Sequence, residues 1–297
     1  MVRPRARGKI AWAGQGPHNA ARTEGTPIVK LSLSSAWNEA KAVIASESRL
    51  LASVALAFFV LPGIVLWATV PETAPDELPP PGPWVAVLIA ILLVSLVGQV
   101  AIARMAMPPH ISVGEAVQRG LRRLLPFFLA FLLWVVPMVI IGAILYSFAA
   151  LNPASSPGIA LAALILLCAL TVLALFMVVR LILAAAVAAA EEGNAIDILK
   201  RSFELTKGNW WRLFAFIFLY GLSAAVLLKA IEWVLGILAN VVLGGVGPMT
   251  IGGLVVTIIV ELVSAAVSVT FFVIVARLYL QLAGRGTTGA GVPRSGT

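Results

Sequence analysis

The run IALAALILLCALTVLALFMVV, Ile159–Val179, passes 21 residues without a charge, and Arg180 closes it. At 1.5 Å per residue such a helix rises about 31 Å, the thickness of a bilayer's hydrocarbon core. Five further runs of similar character surround it: Leu50–Val70, Trp84–Ala103, Pro126–Leu151, Trp211–Leu228 and Gly253–Ala276. Arginines bracket them in a recurring order. Arg49, Arg123 and Arg212 each precede an apolar run, and Arg104, Arg180 and Arg277 each stand near the end of the next. The separation is similar in all three units, from Arg49 to Arg104, from Arg123 to Arg180 and, slightly longer, from Arg212 to Arg277. The pattern predicts an all-α membrane protein of six transmembrane helices, arranged as three repeats of an interfacial amphipathic helix plus a helical hairpin.

Composition agrees. The 297 residues are 61% hydrophobic and 11% charged, against roughly half apolar and a quarter charged for a soluble domain. The formal charge of +8 invites a nucleic-acid reading, but its placement argues for membrane topology. With the arginine ends in the cytoplasm, 20 of the 21 Lys and Arg lie on that side, within residues 1–49, 104–123, 180–212 and 277–297. Lys229 alone lies opposite, and the loop Pro71–Pro83 carries Glu72, Asp76 and Glu77 among prolines. This is the positive-inside rule, and an even number of spans puts both termini in the cytoplasm. The expected location is the bacterial inner membrane, and no nucleic-acid partner is expected.

The expected organisation is a disordered basic tail over 1–27, a six-span domain over 28–282 and a disordered tail over 283–297. Repeats are expected at about 32–106, 111–184 and 194–282. The tail contains Arg3, Arg5, Arg7 and Lys9, with no apolar stretch before Leu50 that would make a cleavable signal. It reads either as a polybasic segment drawn to anionic lipid or as an over-extended translation start.

Each unit opens with a short amphipathic helix. In the second, Ser112 and Glu115 form a Ser-x-x-Glu capping box, and Arg119, Arg122 and Arg123 crowd the polar side. In the third, Asn194 caps, with Asp197 three residues on. Ile196, Leu199 and Phe203 make the apolar face there, and Gly208 provides a stop. In the first, Ser35 is the candidate cap before Trp37, Ala40 and Ile44. Basic helices beside a span lie in the interface plane, either as elbows that orient the next span or as a surface for lipid or a protein partner. Trp84, Trp210 and Trp211 mark the entries to the bilayer.

The segment KRSFELTKGNWWR, Lys200–Arg212, with Arg180-Leu181 and Glu191 ahead of it, resembles a bacterial family of six-span inner-membrane proteins. That family includes the membrane domain attached to some glycerophosphoryl diester phosphodiesterases and related stand-alone membrane proteins. Lys30-Leu31-Ser32 through Trp37 is similar to the opening of stand-alone members from alphaproteobacteria. The resemblance is sharp over Arg180–Arg212 and looser elsewhere. It implies a location and a shape. The phosphodiesterase barrel has no counterpart in the short stretch after Gln281, so no catalytic residue carries over.

Sites for chemistry are few. His18 and His110 have no acidic or Cys partner at ligand spacing, and Cys168 is the sole cysteine, expected as a small hydrophobe in helix packing. No motif for nucleotide, metal or nucleophilic catalysis occurs, so neither cofactor nor enzymatic activity is expected. The cluster Gly244-Gly245-Val246-Gly247 reads as a loop between spans. Glu261 lies inside an apolar run, where a charge is costly. It stands almost as far from Arg277 along the chain as Lys229 does from Arg212. Equal depth predicts an intramembrane Lys229–Glu261 pair, with Glu232 as competitor. A proton-coupled or substrate-binding role for Glu261 is the alternative. Arg104, Arg180 and Arg277 either snorkel to the inner headgroups or gather into a ring that binds lipid phosphate. Arg119, Arg122 and Arg201 complete the candidate headgroup set. Function then reads as a non-catalytic membrane scaffold or partner subunit. The alternative is binding or transport of a lipid, in the first place an anionic one, or of a small amphiphile.

Overall fold

The computed structural model describes residues 31–71, 79–80, 82–151, 157–244 and 250–284. The expected basic tail 1–27, the chain from 285 on, most of the loop 71–83 and Gly245–Gly247 lie outside the described residues. Within them the regular structure is helical throughout. In chain order it comprises α1 (Leu33–Ser46), α2 (Ser48–Ala55), a π-helical turn (Leu56–Val60), α3 (Leu61–Thr69), α4 (Trp84–Met105) and α5 (Val113–Leu151). There follow α6 (Pro157–Leu181), α7 (Ala184–Ala190), α8 (Ala195–Thr206), α9 (Trp210–Leu243) and α10 (Ile251–Leu282). Six stretches are long and apolar enough to cross a bilayer: Ser48–Thr69, Trp84–Met105, Val113–Ala150, Pro157–Ala190, Trp210–Val242 and Ile251–Leu282. The chain is an all-α multi-pass membrane protein.

Local chemistry explains most boundaries. The Ser112–Glu115 box forms as expected, with Ser112 N donating to Glu115 Oε2 at 2.9 Å and Glu115 N to Ser112 Oγ at 3.3 Å. Asn194 and Asp197 cap α8 reciprocally. Gly208 ends the turn after α8 at φ +84°, a left-handed conformation that costs a residue with a Cβ about 1–2 kcal/mol. The cap of α1 is Ser32, whose Oγ accepts from Ser35 N at 3.3 Å. Ser35 sits inside the helix and donates its hydroxyl to Glu39 at 2.9 Å. The first span carries its π turn just before Pro62. Leu61 N bonds back to Leu56 O, a register shift that accommodates a proline with no N–H to offer.

The elbows are uneven. In the first and third of the expected units the residues read as elbows form separate helices, α1 and α8. In the second the capped turn runs without a break into α5, which contains Pro126 and Pro137. No left-handed glycine interrupts it. Gly120 lies inside the helix, where a Cβ would stand 2.7 Å from Val97 O on α4, so it serves close helix packing. The fourth span divides at Leu181 into α6 and α7. The fifth continues well past Leu228 to Leu243, where Gly244 (φ +77°) caps it, and Lys229 and Glu232 pair with one another inside it.

α4 and α10 form the hub. α10 packs against α1, α2, the π turn, α3, α4, α7, α8 and α9, while α4 holds α3, α5 and α7. The tight core lies at the arginine ends of the spans. There Leu96, Val97, Val100–Ala103, Val273–Ala276 and Leu278–Leu280 are all buried, with six of the seven residues of α7. Away from those ends α5, α6 and α9 present apolar side chains outward, where lipid tails are as apolar as leucine and burial gains little.

The buried faces of the elbows differ from the periodicity reading. α8 buries Ile198, Ser202, Leu205 and Thr206 and leaves Ile196 exposed. The polar members of that face have partners: Ser202 Oγ donates to Arg180 O at 2.7 Å and Thr206 Oγ1 to Ser202 O at 2.9 Å. α1 buries Ala36, Ala40 and Val43, with Trp37 outside.

Candidate functional site

The site is built around α7. Its sequence, Ala184-Ala-Ala-Val-Ala-Ala-Ala190, combines the best helix former with side chains small enough for α4, α5, α8 and α10 to close on it. A helix leaves its last carbonyls without partners and carries partial negative charge there. Two arginines of α5 supply both missing terms. Arg123 Nε donates to Ala188 O at 3.2 Å. Arg119 Nε donates to Ala189 O at 3.2 Å and its NH2 to Glu191 O at 3.4 Å. Glu192 closes the cluster, ion-paired to Arg119 and lying 3.4 Å from Arg123. The hydrogen bond from Arg119, with the charges of Arg119 and Arg123, holds the Glu192 carboxyl below its usual range.

Glu191 anchors the other side. Its Oε1 accepts from Tyr279 OH at 2.6 Å and from Arg201 Nε at 3.1 Å, and Arg201 also reaches Glu204 at 3.4 Å. Burial works against the Arg201 cation most strongly of any single influence, but the bonds to Glu191 and Glu204 with the charge of Glu191 together outweigh it and raise its pKa.

Against this frame lies a cleft of ≈ 530 Å³ lined by Arg104, Glu115, Gln118, Arg119, Arg122 and Tyr279, together with the turn Met107–Pro109 and the end of α7. Three guanidinium groups face one carboxylate, and Glu115 is already engaged by Ser112. Arg119 is taken up by the cap of α7. Arg104 uses one terminal nitrogen on Met107 O (3.2 Å) and Pro109 O (3.3 Å). Arg122 makes no hydrogen bond or ion pair among the described residues and is exposed. The free valence for an anion is therefore on Arg104 and Arg122, in a field strengthened by Arg119.

No protein-family model, curated protein or solved structure matches the chain. The reading of the cleft rests on its own side chains.

The remaining candidates go elsewhere. Arg180 turns toward α8: its NH1 donates to Phe203 O (3.3 Å) and Thr206 Oγ1 (3.4 Å), and its guanidinium lies over the rings of Phe176 and Phe203. Arg277 faces α1, where Glu39 is the acid acting on it, and its buried Nε lacks a partner. Arg104, Arg180 and Arg277 thus have three different sets of neighbours, and of the three only Arg104 lines the cleft.

The expected Lys229–Glu261 pair is not formed. Lys229 Nζ donates to Glu232 Oε2 at 2.7 Å, the competitor one turn away on its own helix. Glu261 packs instead against α3, its carboxylate so near Gly63 that a Cβ there would collide with it. The cause is rotational. α10 meets α9 through Val267, whose carbonyl accepts from Tyr220 OH at 2.6 Å. Val263 and Thr270 share that face, and Glu261, two residues before Val263, stands about 200° around the helix. Cys168 is likewise exposed on α6 rather than packed, and His110 acquires an acidic neighbour, with Nδ1 3.8 Å from Glu47 Oε1.

Arg123, Glu192 and Tyr279 hold the site; the sequence marked Arg123 only as a charge before an apolar run and on the polar side of its helix, and did not single out Glu192 or Tyr279. A signal for the first existed: Arg119 and Arg123 are four apart on one helix face, and two glutamates follow an alanine helix whose end they and the arginines could cap together.

Proposed function

We propose that this chain is a non-catalytic protein of the bacterial inner membrane, both termini in the cytoplasm, that binds the anionic headgroup of a membrane amphiphile at its cytoplasmic face. The observation that carries the reading is the cleft of Arg104, Arg119 and Arg122, in which Arg122 has no hydrogen-bond partner among the described residues and Arg104 keeps free donors. Guanidinium forks suit phosphate in geometry as well as charge. The sidedness is supported by the 20 Lys and Arg that fall on one side of the spans. The resemblance of Lys200–Arg212 to a six-span family fits a membrane module without its own reaction.

Native mass spectrometry from mild detergent, with lipid identification, tests it. Wild type should retain an anionic lipid, Arg104→Gln/Arg122→Gln should lose it, and Arg180→Gln/Arg277→Gln should keep it. Equal retention by wild type and Arg104→Gln/Arg122→Gln overturns the reading.

A second reading, a scaffold or partner subunit, rests on α9. No residue of its most apolar window is buried within the chain, and Trp233, Val241 and Val242 are exposed by 77%, 80% and 74%, which leaves a whole helix face to a partner. A stoichiometric membrane protein that co-purifies with wild type and is lost from Trp233→Ala/Val241→Ser favours it.

A further inference from the structure

The helices that line the arginine cleft also border a second, partly open space further along their axes, shared with α6, α8 and α9. This cavity of ≈ 260 Å³ is walled by Leu96, Phe127, Trp134, Ala185 and Phe272 with other apolar side chains, and Gln99 is the only amide among them. α4, α5, α7 and α10 line both spaces. The step between them runs from Arg104 to Gln99 on α4, from Arg122 to Phe127 on α5, from Ala189 to Ala185 on α7 and from Tyr279 to Phe272 on α10. At the helical rise per residue this is about 6–11 Å. Charge therefore gives way to hydrocarbon within the length of one small molecule.

We infer that the cavity receives the hydrocarbon chain of the same amphiphile whose headgroup the cleft holds, so that the ligand is a single-chain anionic amphiphile such as a monoacyl or monoalkyl phosphate. The inference rests on the proposed reading of the cleft. Three features support it. The lining is apolar enough that water gains little there, and the volume falls just below the usual range of ligand pockets, about 300–1,000 Å³, which admits one chain and not two. The third is Gln99, whose side chain has no hydrogen-bond partner among the described residues. Along α4 it is the cavity residue nearest Arg104 in sequence, at the level where an ester or hydroxyl would join the headgroup to the chain.

Binding of inorganic phosphate and of hexyl, octyl and decyl phosphate, measured by calorimetry in neutral phosphatidylcholine nanodiscs, tests this on wild type and on Ile217→Trp, which fills the cavity from α9. Wild type should tighten by about fourfold per methylene until the cavity is full. Ile217→Trp should bind phosphate as before and lose most of that increment relative to wild type, which cancels partition into the bilayer common to both. Independently of any variant, a decyl phosphate with a diazirine at its chain end should label Phe131, Trp134 or Phe272 in wild type.

Labelling confined to the outward faces of α5, α6 and α9, or a length increment that Ile217→Trp leaves intact, overturns the chain site while the cleft stands. Failure of wild type to bind phosphate or any alkyl phosphate overturns the cleft reading itself.

Discussion

Arg123 Nε donates to the carbonyl of Ala188 at 3.2 Å, tying α5 to a helix far along the chain. The bond places a nearly buried guanidinium, 7% exposed, on the last turn of a short helix that would otherwise end in unpaired carbonyls. Arg119 does the same for Ala189. The cleft is therefore the outer surface of a structural cap, and its wall is as rigid as that cap.

Removing Arg123 should destabilise the bundle and not merely alter its surface charge. Arg123→Leu leaves Ala188 O without its donor, a loss of about 1–3 kcal/mol, read as a lowered thermal unfolding midpoint in detergent. Arg123→Lys should recover little, because an ammonium cannot reach Ala188 O and Glu192 in the planar geometry the guanidinium provides. Full recovery by Lys would show that only charge matters here.

Gly120→Ala should separate α4 from α5. The added Cβ meets the backbone oxygen of Val97 at 2.7 Å, which no side-chain rotation relieves, and overpacking of this kind costs about 1–3 kcal/mol. Gly114→Ala, with nothing within 4 Å of the added atom, is the matched control and should be neutral or slightly stabilising. Equal midpoints for the two variants would refute the close contact.

A double-mutant cycle distinguishes the two candidate partners of Lys229. Coupling between Lys229 and Glu232 should be about 0.3–0.5 kcal/mol, as for exposed pairs one turn apart. Coupling between Lys229 and Glu261 should be indistinguishable from zero. A measurable Lys229–Glu261 term would return Glu261 to the α9 side of its helix.

The Glu192 carboxyl, held down by Arg119 and then by Arg123, titrates lower in the folded protein than in the unfolded chain. Its contribution is present above the unfolded carboxylate pKa and is lost as pH falls through the lower, folded value. Thermal midpoints taken from neutral pH down through that range should fall more steeply for wild type than for Glu192→Gln. Because the carboxylate is solvent-exposed, the difference should shrink in high salt.

The spans, their number and the caps of α5 and α8 were legible because each depends on residues close in sequence. Ile159–Val179 is apolar throughout, and Ser112 and Asn194 bond three residues ahead. Half of the candidate headgroup set, Arg104, Arg119 and Arg122, does meet at one cleft. The other half was not separable from it by position. Arg180 occupies the same boundary place in its unit as Arg104, yet a neighbouring helix, α8, presents it with Phe203 and Thr206.

By itself the sequence determined that the chain is a six-span helical membrane protein, since hydropathy acts residue by residue against a bilayer of fixed thickness. Only the tertiary structure decided what each polar group meets. Depth along a helix follows from counting residues, but rotation about the helix axis follows from which neighbours pack against it. That rotation, a little over half a turn, is what separates Glu261 beside Lys229 from Glu261 beside Gly63.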